Sequence, residues 1–130
     1  MGNFILSRIF SFRHAIRGWW YVIHTQKNAW IHGVVTLLVI LLGLFLGLPV
    51  RDWAVLFVTI SMVWMAEFIN TSLEVVVDLA SPSQHPLAMV GKDVGAAAVL
   101  IAAISAVLVG LLILGPPLWL LLMDWLSHNY

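Results

Sequence analysis

Glu67, Asn70, Glu74 and Asp78 are the residues with most to say about chemistry, because the stretch that leads into them, WAVLFVTISMVWMA, is predominantly apolar and carries no charge. At about 100° per helical residue the four fall within an arc of about 80°, so on a helix they make one polar stripe. A carboxylate surrounded by hydrocarbon costs about 2.5 to 3.5 kcal/mol on insertion scales, and three on one face require water, a cation or a ligand. Asp78 alone is the weakest member, since it lies near the helix end where water could solvate it. Lys92 and Asp93 follow across a short loop. A lysine is a point charge that suits phosphate oxygens, although on its own it could simply snorkel to the headgroups. Acids backed by Lys-Asp near one surface suit phosphate chemistry better than a proton relay, which needs only one intramembrane carboxylate. A purely structural network is the other alternative, but such networks usually balance acid with base locally.

What the chain lacks narrows the chemistry further. It contains no GxxxxGK[ST], GxGxxG, HExxH or GxSxG, so a nucleotide site here is not a P-loop. The histidines at 14, 24, 32, 85 and 128 include no i, i+3 or i+4 pair and offer no histidine metal site. His32 reads as an interfacial or hydrogen-bonded core histidine. With no cysteine, disulfides, thiolate metal sites and cysteine nucleophiles are excluded. Six basic and six acidic residues give no net charge to attract nucleic acid.

The elements that must position the stripe are membrane elements: 62% of the 130 residues are hydrophobic and only 9% charged, against roughly 25% charged in soluble domains. The expected fold is therefore an all-α membrane protein, with three transmembrane helices and an N-terminal amphipathic surface helix. Residues 1–28 mix Arg8, Arg13, Arg17 and Lys27 with aliphatic and aromatic residues and read as a helix in the headgroup layer. No small-residue cleavage pattern follows the first apolar run, so this segment is expected to be retained. Residues 29–48 carry no charge, and 20 helical residues rise roughly 30 Å, the thickness of the hydrocarbon core. Pro49, Arg51 and Asp52 make a tight polar turn, after which an antiparallel second span is expected over 53–80. SPSQHP ends it, and a third span is expected over 92–114. Residues 118–130, beyond Gly115-Pro116-Pro117, are too few to cross alone and read as an interfacial tail or a bent extension of the third span.

Along the third span, Gly91, Gly95, Ala98, Ala102, Ala106 and Gly110 recur at three- and four-residue spacing, which allows close helix packing and oligomerisation. Orientation follows from the basic residues. Four lie in the N-terminal segment and one, Lys92, beside the second loop, whereas the 49–52 turn has one next to an acid. The N-terminus and second loop are therefore expected in the cytoplasm, which places the acidic end of the second span where nucleotides are found.

The run EFINTSLEVVVD from Glu67 to Asp78, then HPLAMVGKDVGAAAVLIA from His85 to Ala102, resembles the prokaryotic diacylglycerol kinase and undecaprenol kinase family. That family carries ExxNxxxExxxD, a loop often containing HPLA, then KD and an Ala/Gly-rich third span, and the order and intervals agree. With FRHAIRG near the N-terminus, the resemblance covers nearly the whole chain except its last dozen residues.

The resemblance implies a three-span homotrimer of the bacterial cytoplasmic membrane, with active sites between subunits. It implies transfer of the ATP γ-phosphate, with Mg²⁺, to the hydroxyl of a membrane lipid alcohol, undecaprenol or diacylglycerol. Glu67 then matches the general base, and Glu74 a ligand of the magnesium. Asn70, Lys92 and Asp93 match residues that arrange the phosphates and nucleotide, Asp78 matches a polar position close by, and His85 falls in the loop that covers the nucleotide. The family usually has Asn-Glu ahead of the first span, that Glu being a second metal ligand. Here TQKNAWIH puts Gln26 in its place, an oxygen donor without a charge. The alternatives are a catalytically impaired kinase-derived protein, a small exporter using an intramembrane carboxylate, and a membrane scaffold.

Overall fold

The computed structural model describes residues 2–83 and 85–129. Four helices follow in chain order, α1 (Gly2–Thr25), α2 (Lys27–Phe45), α3 (Val50–Ala80) and α4 (Pro86–Asn129), with no strand among the described residues. By length and composition α2, α3 and α4 are each able to cross a membrane, as the sequence predicts. The protein is a multi-pass membrane protein.

A single extended residue separates α1 from α2. Gln26 adopts φ −101° and ψ 117°, while its backbone N–H still bonds to Val22 O at 2.9 Å. The surface segment thus ends at Thr25 and the first span begins at Lys27. Trp19 anchors α1 on α3: its ring centroid lies 5.0 Å from that of Trp64 and 4.8 Å from that of Phe68. Tilted aromatic pairs at such separations add about 0.5 to 1.5 kcal/mol beyond burial.

α2 ends in a Schellman motif. Gly47 takes φ 63°, Gly47 N–H bonds to Leu44 O and Leu48 N–H to Gly43 O, each at 3.2 Å. A left-handed conformation is cheap only without a Cβ, which explains glycine here. Pro49 then caps α3, and Asp52 in the first turn complements the positive end of the helix dipole. With that cap α3 begins at Val50 rather than near Trp53. Its 31 residues span about 46 Å.

α4 packs along α3 more extensively than any other helix pair. Its 44 residues include Pro116 and Pro117, and residues 118–129 continue the helix of the third span rather than forming a separate tail. Each proline removes one main-chain donor, a loss that helices of membrane proteins tolerate when neighbouring groups satisfy the freed carbonyls. α4 also starts earlier than expected, at Pro86, a residue suited to a first helical turn because its missing N–H would have no helical partner.

The buried core of the single chain is thin. Among the described residues, Val22, Ala29, Leu56, Val63, Val99, Ala102 and Leu114 fill it together with four polar residues, Thr59, Glu67, Asn70 and Thr71. Most other large hydrophobic side chains face outward, as expected where lipid or a second subunit replaces water.

Candidate functional site

The polar stripe of α3 descends from surface to core. Asp78 is the outermost, with its side chain 64% exposed, whereas Asn70 is 6% and Glu67 1% exposed. Glu74 is half-buried between them. One helix therefore carries carboxylates at graded depth, with the exposed end beside the loop to α4.

Glu74 is held from two sides by amides. Asn70 Nδ2, one turn earlier, donates to Glu74 Oε1 at 2.9 Å, and Gln26 Nε2 donates to Glu74 Oε2 at 3.2 Å. The second contact joins residues 48 positions apart, and it forms because the α1–α2 break places Gln26 level with this turn of α3. Asn70 Oδ1, by contrast, is buried without a hydrogen-bond partner. It lies against Gly95 of α4, so close that a Cβ there would collide with it. Gly95 belongs to the small-residue spacing read as packing, yet its missing side chain makes room for a site residue.

Deeper in the bundle, His32 of α2 faces Glu67 of α3, with Nε2 3.7 Å from Oε2. The His32 and Trp64 rings meet edge to face, at 6.3 Å between centroids and 68° between planes. Trp64 is itself fixed by its indole N–H donating to Thr36 Oγ1 at 3.3 Å. Sequence reasoning takes His32 as an interfacial or hydrogen-bonded core histidine and gives it no role at the site. Its only sequence signal is a basic ring in an otherwise apolar run, and the pairing emerges only from the register of α2 on α3.

At the outer end Lys92 Nζ pairs with Asp78 Oδ1. Both side chains are solvent-accessible, so the pair is weak, about 0 to 1 kcal/mol, and is readily exchanged for another anion. Asp93 is exposed in the second turn of α4, and no hydrogen bond or ion pair ties it to the other candidates among the described residues. His85 Nδ1 accepts the N–H of Leu87 at 3.2 Å, which caps the start of α4. The structure thus brings Gln26, Asn70 and Glu74 together, sets Glu67 below them with His32, and places Asp78 with Lys92 above. Asp93 and His85 stand apart from these groups within one chain.

The arrangement is that of a membrane-embedded helical protein with a water-accessible cluster of carboxylates, amides and a lysine at one end of its bundle. A model of the prokaryotic diacylglycerol kinase family matches residues 13–114. The chain is 37% identical to an undecaprenol kinase of Bacillus subtilis over 114 residues, covering 87% of this chain and 93% of that relative. It is 46% identical to a diacylglycerol kinase of Synechocystis over 109 residues, or 83% of this chain and 62% of that longer relative. Over 89 residues, 63% of this chain and 73% of the relative, it is 34% identical to a diacylglycerol kinase of Escherichia coli K12. The protein belongs to the prokaryotic diacylglycerol kinase family and is a lipid kinase.

Proposed function

We propose that this kinase transfers the γ-phosphoryl group of ATP to the hydroxyl of a membrane lipid alcohol, undecaprenol or diacylglycerol, with Glu67 as general base. The observation that carries this reading is the state of Glu67: a carboxylate 1% exposed, with neither oxygen hydrogen-bonded, two turns below the amide-held Glu74. A buried acceptor left open in this way matches a base that awaits a proton donor. In the proposed step the lipid hydroxyl oxygen forms a bond to the γ-phosphorus, its proton passes to Glu67, and the bond from that phosphorus to the β–γ bridging oxygen breaks to release ADP.

The remaining residues supply position and charge. Asn70 keeps Glu74 oriented, and Lys92 exchanges Asp78 for phosphate oxygens once nucleotide enters. Asp93 and His85 flank the nucleotide from the start of α4 and the loop before it. The residues present also fit magnesium. Glu74 offers a carboxylate, Gln26 and Asn70 offer amide oxygens, and Asn70 Oδ1 is buried and unpartnered. Mg²⁺ takes one or two carboxylates and completes its shell with water and phosphate oxygens. When bound, the ion would neutralise charge on the β- and γ-phosphates.

A homotrimer with sites between subunits accords with the outward-facing hydrophobic surface and with the separation of Asp93 and His85 from Glu74 in one chain. The cytoplasmic membrane of a bacterium, with the N-terminus and second loop inside, places the cluster on the side that holds ATP. Membership of a kinase family removes the grounds for an exporter or a scaffold. Purified protein, labelled ATP and either undecaprenol or diacylglycerol in mixed micelles test the function. Label transferred to one lipid names the substrate, and label in neither refutes the reading.

A further inference from the structure

His32 Nε2, Glu67 Oε1 and Glu67 Oε2 lie together in the bundle, and none has a hydrogen-bond partner. Their side chains are 14% and 1% exposed. Buried polar atoms left unmatched cost about 1 to 3 kcal/mol each, and the 3.7 Å between Nε2 and Oε2 is too long for a hydrogen bond between them. A hydroxyl-type oxygen, that of water in the resting protein or of an alcohol in its place, satisfies both sides. An alcohol oxygen has one proton to donate and two lone pairs with which to accept. Placed about 2.7 Å from a carboxylate oxygen and about 2.9 Å from an imidazole N–H, it closes a triangle whose third side is the observed gap.

Two surrounding features agree with an alcohol that carries a hydrocarbon chain. His32 lies in the wall of an apolar groove of about 490 Å³ between α2, α3 and α4, which runs on past Val39, Leu56 and Leu114. A chain attached to an oxygen held at His32 has apolar walls to follow. On the other flank, Trp64 supports the imidazole edge to face and is tied to Thr36, so the ring is held facing α3.

Resting on the reading of Glu67 as the base, we infer that His32 is a second catalytic residue, whose Nε2–H binds the hydroxyl oxygen of the lipid alcohol while Glu67 takes the hydroxyl proton. One lone pair of that oxygen accepts from His32 and the other attacks the γ-phosphorus. The imidazole keeps its proton throughout, so its part is to orient the nucleophile. Substrate selection follows from the same geometry: a lipid without a free hydroxyl leaves His32 Nε2 and Glu67 Oε2 unmatched.

The test compares His32→Gln, which keeps an N–H donor of similar reach, with His32→Leu, which removes it. His32→Leu is expected to lower kcat/KM for the lipid by about tenfold or more, while KM for Mg-ATP stays within about twofold. His32→Gln should recover to within about fivefold of the unsubstituted enzyme. A purely structural role predicts equal defects in the two variants, tracking their melting temperatures, and that result overturns the inference. So does His32→Leu with normal lipid kinetics. Should His32→Leu fail to fold, His32→Met provides the apolar arm of the same comparison. Glu67→Gln is assayed in parallel to separate the two readings. Normal turnover in Glu67→Gln removes the base assignment and this inference with it, whereas an inactive Glu67→Gln beside a normal His32→Leu removes only the role of His32.

Discussion

Glu67 and Glu74 lie on the same stripe of α3, yet their surroundings divide their work. Glu67 is enclosed and has no donor on either oxygen, while both oxygens of Glu74 receive amide N–H groups. Glu67→Gln keeps the shape and removes the proton acceptor. Lipid phosphorylation should fall by about 10²- to 10⁴-fold with folding intact, which a single-turnover assay and a thermal melt of the purified protein measure together. Gln26 makes a different prediction, because its side-chain N–H bonds to Glu74 Oε2, at the position where the resemblance implies a carboxylate. Gln26→Glu replaces that attraction with repulsion between like charges. At about 4 Å and an effective dielectric of 20 two unit charges interact by about 4 kcal/mol, and desolvation opposes much of the gain a cation then recovers. Without Mg²⁺ the variant should melt below the unsubstituted protein, and Mg²⁺ should raise its melting temperature more. The half-saturating Mg²⁺ for turnover should fall about fivefold, equivalent to about 1 kcal/mol. A melting temperature and a midpoint both unaltered would sink the placement of Gln26 beside the metal.

At the scale of elements, the most informative contact is the close approach of α4 to α3 at Gly95. Glycine to alanine in a helix ordinarily stabilises by about 0.5 to 1 kcal/mol. At Gly95 the new Cβ would meet Asn70 Oδ1, while at Gly110 it would meet nothing within 4 Å in this chain. Gly95→Ala should therefore displace Asn70 from Glu74 and reduce activity about tenfold or more, whereas Gly110→Ala should leave activity near normal. Measuring both variants separates site geometry from helix propensity, and equal effects would mean that Gly95 only packs. The same elements mark where sequence reading succeeds and where it stops. Three apolar runs disclose three spans because hydrocarbon thickness sets helix length, and the stripe is legible because its spacing is a property of one helix. Glu74 with Gln26, Glu67 with His32 and Asn70 with Gly95 are pairs between helices. Their geometry depends on how helices are rotated and offset against one another, which periodicity within a segment does not contain. The helix continuing through Pro116 and Pro117 is one of the two readings the sequence leaves open, a tail or a bent extension, and sequence does not choose because proline rules learned in water overstate the break where helices are surrounded by apolar neighbours.

For the molecule as a whole, the decisive question is which side of the membrane the graded stripe opens onto. α3 spans about 46 Å, well beyond a hydrocarbon core of roughly 30 Å, so its two ends emerge on opposite sides. The excess of Lys and Arg in the N-terminal segment and at Lys92 is the basis for proposing that the Ala80 end faces the cytoplasm. This end carries Asp78 paired with Lys92, and on the proposed topology a nucleotide would enter there. The chain has no cysteine, so a single introduced thiol reports its own location without background. Val50 and Ser83 are both exposed and uncharged, and replacing them leaves the balance of basic residues untouched. In intact cells an impermeant maleimide should label Val50→Cys and spare Ser83→Cys, and opening the cells should make Ser83→Cys reactive. Both variants should retain lipid phosphorylation, which shows that the labelled molecules are folded. Labelling of an active Ser83→Cys from outside would invert the topology and set the carboxylate cluster opposite the ATP supply, and the assignments of Lys92, Asp78 and Glu74 to phosphate and metal would fall together.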